Sequence, residues 1–326
     1  MLIFSSCHRR EKSISFYCWK TSFHLDTVEK ETLKFYSVKT LYVRYFDIDI
    51  SADGAMATPV SPIQFDTASL SNLQIIPVVY IKNRVFEKSD SARVSSLAAH
   101  VYQLVSDINK SINKSINEIQ FDCDWTDSTK AKYFFFLEKY RSISKQIISA
   151  TIRLHQVKYK NRTGIPLVDF GVLMYYNMGE INSTEINSVY DKNTASRYVQ
   201  SLKTYPLKLD IALPIFSWSM LIREGRVVKL LNKMNFSHFE NDSNFTLVKR
   251  NFFETKHACF HGGYYFKGND IVKIESVQEN ELLEIAEQIN KYSNKKIGNI
   301  IFYDLDKANL GLYEKNIFRE VSNHIN

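Results

Sequence analysis

The sequence predicts an α/β fold: a (β/α)8 TIM barrel with a small β-rich insertion between its seventh strand and its last helix. Three observations carry this expectation. Eight short segments rich in β-branched and aromatic residues recur along the 326 residues, most of them separated by stretches of helical periodicity, and such alternation specifies parallel strands with crossover helices. The length suits one barrel of this kind, which takes ~250 residues and more with insertions. No glycine-rich turn follows the first strand segment, so the alternative of an open doubly wound sheet finds no support in its nucleotide-binding form.

The elements follow in order. "SISFYCWKTSF" (13–23) is the first strand, "VEKETLKFYS" (28–37) a short helix and "KTLYVRYFDIDI" (39–50) the second strand. A polar loop with Pro59 and Pro62 leads to the third strand, "QIIPVVYIK" (74–82), and residues 91–117 have helical periodicity. The fourth strand is "EIQFDCDWT" (118–126), followed by a helix near 127–141 and the fifth strand, "QIISATIRLHQ" (146–156). The sixth is "VDFGVLMYYNMG" (168–179), with a helix over 191–203, and the seventh is "LKLDIALPIFSW" (207–218). A helix over 279–293 precedes the eighth, "IGNIIFYDLD" (297–306). The helices between strands 2 and 3 and between strands 5 and 6 are weakly marked. Residues 219–278 have strand and hairpin character and form the insertion, which leaves 13–218 and 279–326 to the barrel.

Composition narrows the partners. Hydrophobic residues make up 44%, enough for a sizeable core, and the 13% aromatic share can fill that core or line a groove for flat ligands. The net charge of +7 is scattered, with no dense basic block, so nucleic acid is not an expected partner. Cys7, Cys18, Cys123 and Cys259 match no zinc or redox spacing, and neither cofactor nor metal is expected. No apolar run is long enough to span a membrane. The first 12 residues nonetheless end like a bacterial lipoprotein signal. Ser5 and Ser6 precede Cys7, and the chain turns polar immediately after it. The expectation is lipidation at Cys7, membrane contact through that anchor alone and a cell-envelope location, periplasmic or surface; the alternative is an ordinary N-terminus on a cytoplasmic chain.

Alternation along the strands sorts the side chains. In strand 4, Ile119, Phe121, Cys123 and Trp125 face the helices, and Gln120, Asp122, Asp124 and Thr126 face the lumen. Strand 5 sends Ser149, Thr151, Arg153 and His155 inward, and strand 2 sends Tyr42, Arg44 and Phe46. The lumen thus gathers Asp122, Asp124, Arg44, Arg153 and His155, charges that must pair if they are buried. Asp122 sits deeper and is assigned mainly to structure, whereas Asp124 sits nearer the C-terminal mouth, where barrel enzymes hold their active sites, and is assigned mainly to function.

Four segments resemble family 18 glycoside hydrolases, the chitinases and endo-N-acetylglucosaminidases. That family carries D-G-x-D-x-D-x-E on strand 4, and here Asp122 and Asp124 stand at the last two aspartates. Its strand 6 ends in M-x-Y-D, here Met174-Tyr175-Tyr176-Asn177, and its strand 7 often reads G-L-P-x-Y-G, here Ala212-Leu213-Pro214-Ile215-Phe216-Ser217. Its strand 8 supplies a tryptophan under the sugar, where Tyr303 stands here, and several members insert a small domain after strand 7. The resemblance covers roughly residues 118–306. It implies a glycan as ligand or substrate, containing N-acetylhexosamine, with Asp124 and Asp122 in the catalytic positions.

One departure bears on the chemistry. The motif's terminal glutamate is the family's general acid, and Thr126 stands there, a residue unable to donate a proton usefully at neutral pH. Three readings stay open. The barrel is a carbohydrate-binding relative, with Trp19, Tyr176, Trp218 and Tyr303 as stacking platforms and Asp124 and Asn177 as hydrogen-bonding anchors, Arg44, Arg153 and His155 being further candidate substrate contacts. Or it is a glycosidase with a relocated acid, drawn from Asp47, Asp49, Asp127, Glu180, Asp304 or Asp306. Or it is a structural surface protein whose aromatics are core.

Overall fold

Each of the eight barrel strands pairs in parallel with its neighbours, and the first pairs with both the eighth and the second, so the sheet closes on itself. The computed structural model describes residues 13–54, 56–66, 70, 72–179, 186–231, 234–293 and 297–325. Its strands are β1 (Ile14–Cys18), β2 (Thr40–Ile50), β3 (Gln74–Ile81), β4 (Glu118–Asp122), β5 (Ile147–Arg153), β6 (Phe170–Met174), β7 (Leu209–Pro214) and β8 (Ile300–Tyr303). Cys7 and Glu180 lie outside the described residues.

The crossover helices form where the apolar spacing asks for them. These are α1 (Thr27–Phe35), α2 (Ser91–Ser111), α3 (Lys130–Ile143), α4 (Lys192–Val199), α5 (Glu279–Tyr292) and α6 (Ile317–His324). In α2, Val94, Leu97, Ala98, Val101, Val105 and Ile108 are buried at three- and four-residue intervals, which places them on one face against the sheet. Asp90 caps that helix by accepting from the Arg93 N–H at 2.8 Å.

The two weakly marked crossovers depart from the helix pattern. Between β2 and β3 a short strand, Ala57–Val60, runs antiparallel to the end of β2. Pro59 and Pro62 remove two donors there, and the loop has no apolar stripe for a helix to bury. Between β5 and β6 two short helices, Leu154–Lys158 and Lys160–Thr163, stand in place of one long one.

The insertion is an antiparallel five-stranded sheet, in the order Arg226–Leu231, Trp218–Arg223, Ile271–Glu275, Phe252–Thr255, Phe245–Lys249. It has its own apolar cluster, including Leu221, Leu231, Phe239, Phe253 and Phe266. Trp218 opens its first strand, so the insertion begins at the barrel's mouth. Among the described residues no helix is long and apolar enough to cross a membrane.

The lumen is polar by layers. At the N-terminal foot, Asp210 accepts from the Asn299 N–H at 3.0 Å and from its side-chain amide at 3.1 Å. Midway, the buried Tyr17 hydroxyl donates to Gln120 at 2.6 Å. Asp122 and Arg153 lie above, at the mouth.

Candidate functional site

β4 ends at Asp122, yet the alternation continues beyond it: Cys123 and Trp125 are buried, and Asp124 and Thr126 are exposed. Trp125 fixes this segment from behind. Its indole N–H donates to the Thr163 carbonyl at 2.8 Å and its ring stacks on Tyr133 with centroids 5.2 Å apart.

On the lumen side Asp122 is only 4% exposed and accepts from the Thr151 hydroxyl at 2.7 Å. Burial pushes its carboxyl up to about 6, against the pull of Arg153 and with the added repulsion of Asp124. Arg153, the last residue of β5, donates to both oxygens of Asp124, from Nε at 2.6 Å and Nη2 at 3.2 Å. This is the two-pronged geometry a guanidinium makes with a carboxylate. Its Nη1 is buried with no hydrogen-bond partner.

The far side of the mouth is built from β6, β7 and β8. Tyr176 lies face to face with Tyr303, centroids 5.4 Å apart and planes 27° from parallel, and its buried hydroxyl has no hydrogen-bond partner. Asn177 follows at φ +55°, a left-handed conformation that asparagine tolerates better than most residues, with its N–H on the Val189 carbonyl at 2.9 Å. The Trp218 indole donates to Glu275 at 2.8 Å, and Glu275 in turn pairs with Lys273 at 2.6 Å. Trp19, in the loop after β1, packs its ring 5.6 Å from Tyr303.

After β8, Asp304 accepts from the Asn309 side-chain amide at 2.6 Å. Burial pushes its carboxyl up to about 7, helped by Asp306 and opposed by Lys20. Lys20 is itself paired with Glu29. Asp306 caps the short helix Lys307–Leu310 by accepting from the Ala308 N–H at 2.9 Å.

These groups enclose a cavity of about 690 Å³ at the C-terminal ends of the strands. It brings together Asp122, Arg153, Trp19, Tyr176, Asn177, Trp218 and Tyr303 from the residues singled out in the sequence. Asp124 is not part of its lining; it stands beside it, half-exposed and held by Arg153.

Two expected contacts are corrected. Arg44 does not reach the cavity, because its guanidinium binds Asp47 at 2.7 Å and the Ser61 carbonyl at 3.0 Å. The register of β2 against β3 shifts between Arg44 and Phe46, where a bulge re-aims the strand's end. His155 also lies outside the lining. The chain turns helical at Leu154, which puts His155 on the exposed face of the short helix Leu154–Lys158.

Sequence reasoning named Asp304 only as one of several replacement acids and missed Lys20, Met234 and Asn235, which also line the cavity. The position of Asp304 immediately after Tyr303 was the available signal. Met234 and Asn235 come from the insertion, and no pattern in the sequence tells which part of it overhangs the mouth.

No family model matches the chain, and no curated protein sequence does. Solved structures do. The spore cortex-lytic enzyme SleL of Bacillus megaterium QM B1551 is 13% identical, with a TM-score of 0.59 over 98% of this chain and 76% of its own. A chitinase from Bacteroides thetaiotaomicron is 12% identical, with a TM-score of 0.55 over 95% of this chain and 96% of its own. At such identity the likeness is one of fold: a closed (β/α)8 barrel like those of these two enzymes.

Proposed function

We propose that the barrel holds a glycan in its mouth cavity, with an N-acetylhexosamine among its units. The observation that carries this reading is the cavity's lining. Trp19, Trp218 and Tyr303 line it together with Asp122, Arg153 and Asn177. Aromatic faces suit the apolar C–H faces of a pyranose, and a few convergent polar groups suit its hydroxyl and amide groups. A barrel resembling those of a chitinase and a cortex-lytic enzyme is a scaffold on which such a site is at home. In the same reading Cys7 carries a lipid that tethers the barrel to a bacterial envelope, and a Cys7→Ala chain would then fail to incorporate a labelled fatty acid.

The test is a binding and turnover screen of the purified protein on N-acetylhexosamine oligosaccharides. Trp218→Ala and Asp124→Ala are measured alongside. Binding should be present and should weaken about tenfold in Trp218→Ala, the scale of one aromatic contact of ~1.5 kcal/mol. Asp124→Ala should weaken it as well, by freeing Arg153 to swing from the cavity. A protein that binds none of these oligosaccharides would overturn the reading. Hydrolysis is a second reading, favoured by the two cavity carboxyls of raised pKa, Asp122 and Asp304.

A further inference from the structure

We infer that Asp304 is the proton donor of a hydrolytic site and works against Asp122 across the cavity; this rests on the glycan reading above. The argument begins with topology. In the closed ring, β4 and β8 are four strands apart in either direction, so they stand on opposite sides of the lumen. Asp122 ends β4, Asp304 follows β8, and both line the same cavity. A single displacement at a glycosidic carbon needs this disposition. One carboxyl protonates the leaving oxygen while the other activates water on the opposite face, with about 6.5–9.5 Å between them.

The remaining carboxyls are committed elsewhere. Both oxygens of Asp124 are engaged by Arg153. Asp47 is bound by Arg44, Asp49 by Lys82 and Arg84, and Asp127 by Lys130. Asp306 caps a helix. Asp304 is held by neutral donors, the Asn309 side-chain amide and its own backbone N–H, and among the described residues no cation lies within salt-bridge distance. The nearest lysine on that side, Lys20, is taken by Glu29. A carboxyl in this setting keeps its proton to about 7, whereas Asp122 gives its own up at about 6. Burial raises both carboxyls toward the neutral range in which an acid and a base work, and the assignment of the acid rests on Asp304 having no paired cation.

The step balances. The Asp304 proton passes to the glycosidic oxygen as the C1–O bond breaks. Water forms the new bond to C1 and gives its proton to the Asp122 carboxylate, and solvent exchange returns both groups to their starting forms.

The experiment uses β-1,4-linked N-acetylglucosamine oligosaccharides and the 2,4-dinitrophenyl glycoside of the same sugar, with the wild-type chain and Asp304→Asn. Wild-type protein should release reducing ends. Asp304→Asn should lose at least 100-fold in kcat on the oligosaccharide, with affinity within threefold, and less than tenfold on the dinitrophenyl glycoside, whose leaving group needs no proton. A merely structural aspartate would lower both rates alike. The wild-type kcat/KM should rise through about pH 6 and fall through about pH 7, the groups facing these carboxyls being Arg153, Asp124 and Asp47 around Asp122, and Asp306, Lys20 and Glu29 around Asp304. Binding without release of reducing ends would overturn the inference and leave the glycan reading standing. Equal losses on both substrates, or an Asp304→Asn variant as fast as wild type, would also overturn it. Absence of binding would overturn both.

Discussion

On the β4–β5 side of the mouth, Asp122 and Asp124 share Arg153, and Asp122 also takes the Thr151 hydroxyl. On the β8 side, Asp304 is held by neutral donors, and Lys20 is paired with Glu29. The same residue type thus meets two different environments within one cavity. A carboxylate fixed by a guanidinium is set to orient a ligand. A carboxyl held without a cation keeps its proton into the neutral range. The difference separates a side held by a guanidinium from a side with no paired cation, and Thr126 falls on the first.

The largest effect should come from dismantling the guanidinium-held side. Arg153→Met leaves Asp122 buried without its counter-charge, a loss of about 3 kcal/mol, at the low end for a broken buried pair because Asp124 is half-exposed and can be rehydrated. Urea denaturation measures it. A loss below about 1 kcal/mol would make the Arg153 cluster no more than a surface ion pair, and the contrast between the two sides would collapse.

A smaller effect tests whether a raised pKa is by itself enough to make an acid. Glu118, at the foot of the barrel, is also pushed up to about 7, first by burial and then by Asp210 and Asp169. Between its ordinary value of 4.5 and about 7, the folded chain holds a proton there that the unfolded chain has released. The folded state therefore binds more protons in that window, and stability falls as pH rises through it. Glu118→Gln should remove a decline on the order of 2 kcal/mol between pH 5 and 8, seen as a flatter plot of unfolding free energy against pH. Glycan affinity and any turnover should be unchanged, since Glu118 does not line the mouth cavity. A loss of turnover in this variant would mean that raised carboxyls act through the whole lumen, not by position.

The barrel and its insertion were legible because alternation of strand and helix and the period of two within strands survive in a single sequence. The strand ends were not. Strand 4 reads to Thr126 but its ladder ends at Asp122, because the residues after it keep alternating buried and exposed once pairing has ceased; strand 6 reads to Gly179 but ends at Met174, where Tyr175 and Tyr176 are both buried beyond the ladder. Alternation put Asp122 and Arg153 on the lumen face, but it set Asp122 deep and Asp124 at the mouth, whereas Asp122 lines the cavity and Asp124 stands beside it. It misplaced His155, where buried Leu154 and Gln156 mimic a continuing strand although they belong to a helix. Arg44 was misjudged for a different reason: a bulge is invisible to alternation. Asp304 could not be singled out, since its lack of a cation depends on Lys20 and Glu29 finding each other, a contact between a loop and a helix that no spacing encodes.

The smallest expected effect concerns Thr126 itself. Its side chain is exposed, with its hydroxyl 2.9 Å from Ser128 Oγ and 3.2 Å from Thr129 Oγ1, and it does not line the cavity. A glutamate placed there would sit beside Asp124, whose oxygens are already held by Arg153, and its carboxyl would be solvated rather than buried. Solvation leaves a carboxyl near its ordinary range, deprotonated at pH 7 and of no use as an acid. Thr126→Glu should therefore change turnover on the oligosaccharide less than threefold and leave stability within about 0.5 kcal/mol. A large gain would show that the β4 side needs only its missing residue to transfer protons. It would place the acid on strand 4 and overturn the assignment of that role to Asp304.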